Sequence, residues 1–247
     1  MPPRLPTLKP ASPEALAFGS LWASLLDFGV VVMALVAAVN LWAPPQDLPW
    51  KPLSLDEPLG MATAIKFARA TDDPELCRKI LQEGGVAFVD QPVRTERFCT
   101  TENSVRVTSG LTRLAPAGPT ITCPVALGYA FWSRHVLQPA AQETLGARVT
   151  QVDHYGSYSC RNVYGRESGR PSEHARANAL DVAGFRLSDG RRITVAGDFR
   201  REDERGAFLR RVRDDACGFF HGVLSPDYNA AHRDHLHLDF GPYRICR

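Results

Sequence analysis

The sequence of 247 residues lacks the local motifs of several common enzyme and binding classes. It contains no Gly-x-Ser-x-Gly motif, so nothing indicates a serine nucleophile of the hydrolase type. It contains no Cys-x-x-Cys pair, which argues against a zinc ribbon or a thioredoxin-type redox motif. Charge of one sign does not accumulate in a long run, and the formal net charge is only +2. We therefore expect no nucleic-acid partner.

Cysteines are nonetheless present in an even number, spread over the chain at positions 77, 99, 123, 160, 217 and 246. This distribution is typical of three disulfide bonds formed in an oxidising compartment. Several pairings are possible, and the sequence does not choose among them. The alternative is a set of buried free thiols in a cytosolic protein, and the N-terminal segment described next argues against it.

The N-terminal region predicts a membrane anchor. Residues 1–17 are rich in proline and are predicted to form a disordered cytoplasmic tail. Residues 18–43 are apolar and have about the length of a transmembrane helix, and Trp22 and Trp42 lie near the ends of this segment as interfacial aromatic residues do. Asp27 is costly inside a bilayer, so the core of the span is expected to begin after it.

Positive residues before the span predict a cytoplasmic N-terminus. We therefore expect a single-pass protein of the inner membrane whose C-terminal domain lies in the periplasm or outside the cell. A cleaved signal peptide is the alternative, although no clear small-x-small cleavage site precedes the mature part. Residues 44–58 predict a stiff, proline-rich linker that holds the domain off the membrane. Residues 59–247 form one domain, long enough for a well-buried core.

Within residues 59–247, apolar periodicity and end signals predict helices and short strands in succession. Asp73 as N-cap and Pro74 at the first helical position begin a helix that Gly84 and Gly85 end. Other helices are predicted over Leu59–Ala70, from Pro124 onward with a kink at Pro139, and within Arg201–Phe220. Strands are predicted over residues 86–89, 104–107, 147–152, 179–187 and 191–196.

Two short stretches contain residues from which a metal site can be built. His174 and Asp181 lie seven residues apart, a spacing that fits a ligand in a loop followed by a ligand on a strand. In the second stretch polar and apolar residues alternate, so that on a strand His235, His237 and Asp239 share one face. Three ligands of imidazole and carboxylate type, with a fourth position for water, are usual for catalytic zinc. Chance clustering of histidines is the alternative.

A family resemblance rests on five motifs, which are Ile121-Thr-Cys-Pro124, Tyr158-Ser-Cys-Arg161, Ser172-Glu-His174, Asn178-Ala-Leu-Asp181-Val-Ala and His232-Arg-Asp-His-Leu-His-Leu-Asp239. Together they resemble the bacterial extensin-like C-terminal family over roughly residues 72–247. That family is related to the zinc D-alanyl-D-alanine carboxypeptidases and endopeptidases, in a superfamily with lysostaphin-type enzymes and hedgehog domains. The resemblance implies an α+β fold in which helices pack on a small, mainly antiparallel sheet.

The resemblance also implies roles for individual residues. His174, Asp181 and His237 are the expected ligands of one zinc ion per chain. In the similar His-x-His enzymes the second histidine is the ligand and the first moves protons, which assigns the base to His235. Arg161 occupies the position of an arginine directed toward the substrate, where a guanidinium could bind a carboxylate or steady an oxyanion.

Four further residues lie in or beside these motifs. Asp239 is a candidate for orienting a ligand histidine, or a structural acid that binds backbone. Ser172 either caps the segment before His174 or contacts the substrate. Asp234 is the nearest acid to the expected base, but strand alternation directs it to the opposite face. His232 is interpreted as a loop histidine near the site.

These assignments predict an enzyme of the metallopeptidase type. The expected function is zinc-dependent hydrolysis of an amide bond in peptidoglycan stem peptides or cross-links, as a carboxypeptidase or an endopeptidase of the cell envelope. The expected partners are peptidoglycan and, through the N-terminal helix, the membrane. One alternative is a non-catalytic, zinc-containing module that binds peptidoglycan or acts as a scaffold. Another is a metal-free structural protein associated with the cell wall.

Overall fold

The N-terminal helix is longer than the sequence predicts. The computed structural model describes residues 13–247, with side chains from Leu25 onward, and helix α1 spans Pro13–Trp42. Residues 13–17 are therefore helical rather than part of a disordered tail, while the rest of that predicted tail and the side chain of Trp22 lie outside the described residues. The segment Leu25–Trp42 is unburied and long and apolar enough to cross a membrane, features that a signal sequence shares.

The rest of the chain is a mixed α/β structure. Its helices are α2 Thr63–Asp72, α3 Pro74–Glu83, α4 Cys123–Trp132, α5 Gln138–Leu145, α6 Val195–Asp198 and α7 Glu204–Ala216. Its strands are β1 Ala87–Asp90, β2 Arg94–Glu96, β3 Cys99–Thr101, β4 Ser104–Ser109, β5 Arg113–Ala115, β6 Ile121–Thr122, β7 Val149–Gly156, β8 Ala179–Leu187, β9 Arg192–Thr194, β10 Gly222–Leu224, β11 Leu236–Asp239 and β12 Ile245–Cys246.

The largest sheet has the strand order β12-β10-β11-β8-β7-β5, and β9 also pairs with β8. Its pairs are antiparallel except β5 with β7 and β10 with β12. A second sheet has the order β1-β4-β6, and β2 and β3 form a hairpin. The predicted combination of helices with a mainly antiparallel sheet is confirmed, and β8 and β9 pair within the strands predicted over residues 179–187 and 191–196.

Helix α4 lies at the centre of the core. Its residues are apolar on all sides, as expected of a helix covered on all faces, and the rings of Tyr129, Phe131 and Trp132 are fully buried. The Trp132 indole N–H donates to the carbonyl of Val212 on α7 at 2.9 Å. A π-helical turn over Ser133–Leu137 joins α4 to α5 and accommodates Pro139, which has no N–H for an α-helical bond.

The end signals read from the sequence agree with the structure at α3. The Asp73 carboxylate accepts hydrogen bonds from the backbone N–H groups of Glu75 and Leu76, each at 3.0 Å, and Pro74 is the first helical residue. Gly84 ends the helix and Gly85 adopts a positive φ of 74°. These local rules succeed because capping involves only residues that are neighbours in the chain.

All six cysteines are paired, which confirms the predicted disulfides and decides their connectivity. Cys77–Cys123 joins α3 to α4, Cys99–Cys160 joins β3 to the loop that follows β7, and Cys217–Cys246 joins the end of α7 to β12. Each bond therefore links elements that are distant in sequence.

The predicted extended linker is wrong as a description of residues 44–58, which we call the strap. The strap lies against the domain, with Leu48, Leu53 and Leu55 buried. The ammonium group of Lys66 on α2 is itself buried and donates to the carbonyl of Pro45 at 2.6 Å. Apolar side chains between the prolines, together with donors on the domain, allow the strap to pack rather than extend into solvent.

We predict that removal of the disulfide between α3 and α4 destabilises the domain. A Cys77→Ala/Cys123→Ala double variant should lose about 4 kcal/mol of unfolding free energy, since the bond closes a long loop in the unfolded chain. Chemical unfolding followed by circular dichroism measures this loss. An unfolding free energy equal to that of the parent protein would contradict the prediction.

A second prediction concerns stability in acid. His135 is partly buried, stacks on Phe131, and lies 3.0 Å from the carbonyl of Leu55 through Nε2. Burial lowers the pKa of His135 and outweighs the opposing effect of the Leu55 carbonyl. The unfolded chain therefore binds more protons once the pH falls below the ordinary value of about 6.5, and stability decreases there.

His135→Gln retains an N–H donor for Leu55 but does not titrate. The thermal midpoint of the variant should therefore fall less than that of the parent between pH 7.5 and pH 5.5. The other histidines are common to both proteins and cancel in the comparison. Equal decreases in both proteins would show that His135 does not contribute to the acid sensitivity.

Candidate metal centre

Two of the expected ligands lie on neighbouring strands. β8 and β11 are antiparallel, and their register places Asp181 directly opposite His237. Residues paired in this way project to the same face of a sheet, and Nδ1 of His237 lies 2.9 Å from Oδ1 of Asp181. The register of this strand pair, and not proximity in sequence, brings the two side chains together.

His174 reaches the same point from a short 3-10 turn over Glu173–Arg176. The Ser172 hydroxyl caps this turn by accepting from the His174 backbone N–H, and Ala177 ends it with a positive φ of 56°. Nε2 of His174 lies 3.1 Å from Nδ1 of His237 and 3.2 Å from Oδ2 of Asp181. The three residues thus form one compact cluster, which we call the His–Asp–His cluster.

Hydrogen bonds behind the cluster orient both imidazoles. Nδ1 of His174 donates to the carbonyl of Ser157 at 2.8 Å, and Nε2 of His237 donates to Oδ2 of Asp239 at 2.8 Å. The Gly241 backbone N–H in turn donates to Oδ1 of Asp239. These outer hydrogen bonds hold Nδ1 of His174 and Nε2 of His237, so each ring directs its other nitrogen toward the centre, the orientation that ligand histidines have. Asp239 and Ser172 have the supporting positions considered from the sequence.

Gly222 makes room for the Asp239 carboxylate. It is the register partner of Asp239 on β10, and a Cβ atom at this position would lie only 2.2 Å from Oδ2 of Asp239. Any other residue would displace the carboxylate that holds His237. Position 222 requires glycine because the Asp239 carboxylate approaches it so closely. Nothing in the local sequence indicates this requirement.

The electrostatics of the cluster favour one positive charge at its centre. Burial alone would raise the pKa of Asp181, but hydrogen bonds from His174 and His237 outweigh burial and hold it well below its ordinary range. Burial opposes charge on His237 as well, yet its bonds to Asp181 and Asp239 raise its pKa to about 9. A proton and a metal cation therefore compete for Nδ1 of His237, the nitrogen that faces Asp181.

The donor set fits a small divalent cation. Nδ1 of His237 lies 2.9 Å from Oδ1 of Asp181, and Nε2 of His174 lies 3.1 Å from that nitrogen and 3.2 Å from Oδ2 of Asp181. These distances are close to the roughly 3.3 Å expected between ligand atoms in a tetrahedral zinc site. Two imidazole nitrogens and one carboxylate oxygen also match the mixed ligand type of catalytic zinc. The cluster could accordingly hold one such ion through His174, Asp181 and His237.

His235 lies at the edge of the cluster. Its Nε2 is 3.6 Å from Oδ1 of Asp181, and its Nδ1 is 2.9 Å from Oδ1 of Asp234. Strand alternation does not decide the direction of Asp234, because β11 begins only at Leu236. Asp234 does not line the cavity beside the cluster and lies on the side of the His235 ring opposite Asp181. The Asp234 carboxylate instead fixes the ring of His235.

His232 forms a second wall of the site. Its ring centroid lies 5.2 Å from that of His235 and 5.7 Å from that of His237, and its Nδ1 bonds to Oδ1 of Asn229 at 2.8 Å. Burial, with the neighbouring histidines His237 and His235, lowers its pKa to about 4. His232 is therefore neutral at physiological pH and leaves Nε2 as an acceptor.

A cavity of about 500 Å³ opens above the cluster. Its walls include His232, His235 and a rim of tyrosines and arginines, namely Arg161, Tyr164, Arg170, Tyr228 and Tyr243. The guanidinium of Arg170 lies over the ring of Tyr243 at 5.2 Å from its centroid. The rim therefore offers cationic and aromatic contacts beside the candidate metal position.

Arg161 is exposed and lines this cavity. Its backbone carbonyl accepts from the N–H of Ser172 at 3.1 Å, and the preceding Cys160 is fixed by its disulfide to Cys99. Among the residues with described side chains, Arg161 has no carboxylate within salt-bridge distance. Its guanidinium is therefore available to a ligand, on a backbone that two constraints hold.

Sequence reasoning did not identify several residues of the site. They contribute through a carbonyl, an absent side chain or a place on the rim, none of which has a local signature. These residues are Ser157, Gly222, Arg170 and Tyr243. Two other histidines lie outside the cluster and bind backbone carbonyls: His154 binds that of Pro116, and His221 binds that of Gly241.

Comparison with known proteins yields one match. The family model described as "Extensin-like protein C-terminus" matches residues 75–247, a stretch that contains every residue of the His–Asp–His cluster and of the cavity. No curated protein and no solved structure matches the chain.

We predict that the protein binds about one zinc ion per chain through the His–Asp–His cluster. His174→Ala and His237→Ala should each abolish binding, whereas Asp239→Asn, which retains all ligands, should weaken it about 10–100-fold. Affinity should also fall with decreasing pH, because protonation of the histidines competes with the metal. Titration with a competing chelator, followed by elemental analysis, measures these effects.

His221→Ala is the matched control, since this histidine lies near the same strands but outside the cluster. Its metal content should equal that of the parent protein. Absence of zinc from the parent after reconstitution at neutral pH would contradict the assignment, as would equal affinities in all variants.

Proposed function

We propose, since the chain belongs to the family of extensin-like protein C-termini, that it hydrolyses an amide bond in peptidoglycan stem peptides or cross-links with a bound zinc ion. The observation that carries this proposal is the convergence of His174, Asp181 and His237 at the floor of a cavity, where each side chain offers one potential ligand atom.

A relation to the D-alanyl-D-alanine peptidases and hedgehog domains is part of the proposal. It is supported by the arrangement of a loop ligand, His174, followed by Asp181 on a strand whose register partner is His237. It is also supported by a mainly antiparallel sheet with helices packed beside it. Fold alone does not define an activity, so the site residues carry the functional argument.

A zinc ion in the cluster would supply Lewis acidity, which lowers the pKa of water and polarises a carbonyl group. The chain itself supplies the proton transfer. His235 is the base in this proposal, because its Nε2 faces Asp181 while Asp234 binds its Nδ1–H and fixes the tautomer. Nε2 accepts a proton at the start of hydrolysis and returns it to the departing amine.

Arg161 is the proposed substrate contact. A guanidinium without an internal carboxylate partner can bind the carboxylate of a peptide or the oxygen of the carbonyl under attack. Arg170 and Tyr243 extend the same rim and suit a ligand with both charge and apolar surface. A cavity of about 500 Å³ has the size of sites for a short peptide or a comparable small ligand.

The envelope is the proposed location of this activity. Three disulfides fit an oxidising compartment, and the apolar segment of α1 fits either a single-pass inner-membrane anchor or an export signal. An exported domain would meet peptidoglycan directly, which is consistent with the proposed substrate class.

We predict that His235→Ala leaves zinc binding unchanged and lowers peptidoglycan hydrolysis by about 10²–10⁴-fold, the usual contribution of a general base. Arg161→Ala should retain zinc and mainly raise KM or lower turnover, with partial rescue in Arg161→Lys. The measurement is release of amino groups and soluble fragments from purified peptidoglycan, with metal content determined on the same samples. His221→Ala again serves as the control.

Each outcome separates the proposal from its alternatives. Zinc binding without hydrolysis, and with no effect of His235→Ala, would indicate a zinc-containing module that binds or scaffolds peptidoglycan. Lack of zinc together with binding to cell walls would indicate a metal-free structural protein. Identification of the released groups distinguishes carboxypeptidase from endopeptidase activity.

A further inference from the structure

Side chains of α2 fix the strap to the domain by donating hydrogen bonds to backbone carbonyls of the strap. Nζ of Lys66 donates to the carbonyls of Pro45 at 2.6 Å and Pro52 at 3.4 Å, although Lys66 is only 5% exposed. Nη1 of Arg69 donates to the carbonyl of Pro49 at 3.2 Å. A buried ammonium group needs such partners, so these bonds hold both ends of the strap's proline-rich part against α2.

Apolar and local contacts complete this attachment. Leu48, Leu53 and Leu55 are buried, and Oδ1 of Asp47 accepts from the backbone N–H of Met61 at 2.8 Å. Fully extended, 15 residues would span about 50 Å. Docked in this way, the strap provides no comparable spacer between α1 and the domain.

The strap also contacts the end of α1. The indole N–H of Trp50 donates to the side-chain oxygen of Asn40 at 3.0 Å, and the backbone N–H of Ala43 continues the helix by donating to Val39. Trp50 is nevertheless 58% exposed. Its ring is therefore largely open to solvent beside the C-terminal end of α1.

Helix α2 presents an unusual outer surface beside this point. Surface helices generally expose polar residues and bury apolar ones, yet Met61 and Ile65 are 86% and 48% exposed while Lys66 is buried. Ala64 and Ala68 are exposed in the same helical stripe. Together with Trp50, these residues form what we call the apolar face.

We propose that the apolar face rests on the surface of the lipid bilayer that α1 crosses. The face adjoins the end of α1 in sequence and through the Trp50–Asn40 bond, so the membrane is the surface continuous with it. Tryptophan favours the membrane interface, and an apolar helix face can bury itself at the headgroup boundary. The proposal depends on α1 spanning a bilayer and is independent of metal binding.

Docking of this kind restricts where the domain can act. The strap and the apolar face together hold the domain at the membrane surface, so the domain does not move freely at the end of an extended linker. The cavity above the His–Asp–His cluster is therefore confined to the layer next to the lipid. The cavity can therefore bind only ligands that lie close to the membrane surface.

Fluorescence quenching in vesicles tests the proposal on the full chain. Because all six native cysteines are paired, an introduced Ile65→Cys carries the only thiol for a bimane label. The protein is reconstituted into vesicles of phosphatidylethanolamine and phosphatidylglycerol that contain brominated acyl chains, which quench at short range. The matched control is Asp189→Cys in the exposed β8–β9 turn, whose side chain bonds Arg191 and not the strap.

We expect strong quenching of the label at position 65 and little quenching at position 189. Equal quenching at the two positions, or none at position 65, would overturn the proposal. Extraction of the protein by alkaline carbonate would overturn it too, because α1 would then not be a membrane anchor.

A charge placed on the apolar face distinguishes contact from mere proximity. Ala68→Asp places a carboxylate at an exposed position of this face, away from the bond between Asp47 and Met61, and should leave the fold intact, as judged by the thermal midpoint. Combined with Ile65→Cys, it should reduce quenching at position 65 by at least half. Unchanged quenching would mean that α1 alone sets the distance and that the apolar face does not contact lipid.

Discussion

The pairing of His237 with Asp181 across β8 and β11 is the contact on which the site depends. It places an imidazole and a carboxylate in a mostly buried position, where neither charge is stable alone. Asp239 compensates from behind His237, and Gly222 leaves the space that Asp239 occupies. A substitution at any of these positions would therefore displace the side chains at the others.

The elements around this pair hold its position. Helix α4 fills the core beneath the sheet, and disulfides fix α3, the loop before Arg161 and the C-terminal strand. A rigid scaffold of this kind can keep ligand atoms within a few tenths of an ångström of a usable geometry. The cavity rim, by contrast, consists of exposed arginines and tyrosines that can adapt to a ligand.

Local rules in the sequence predicted much of the fold and the main site residues. Asp73 and Pro74 began α3 as expected, since capping acts between neighbouring residues. Alternation in the second motif correctly placed His237 and Asp239 on one strand, but it does not apply to Asp234, which precedes that strand. The strap was misjudged because proline content indicates stiffness and does not reveal buried leucines or a partner such as Lys66.

The sequence by itself determined the helix and strand signals, the even set of cysteines, the apolar N-terminal segment and the residue types of the cluster. Only the tertiary structure decided which cysteines pair, which nitrogen of each histidine faces inward, and that Ser157, Asp234 and Gly222 support the site. The physical reason is the distance along the chain over which each effect acts. Propensity and periodicity act over a few residues, whereas register, close approach and burial join parts of the chain that are far apart in sequence.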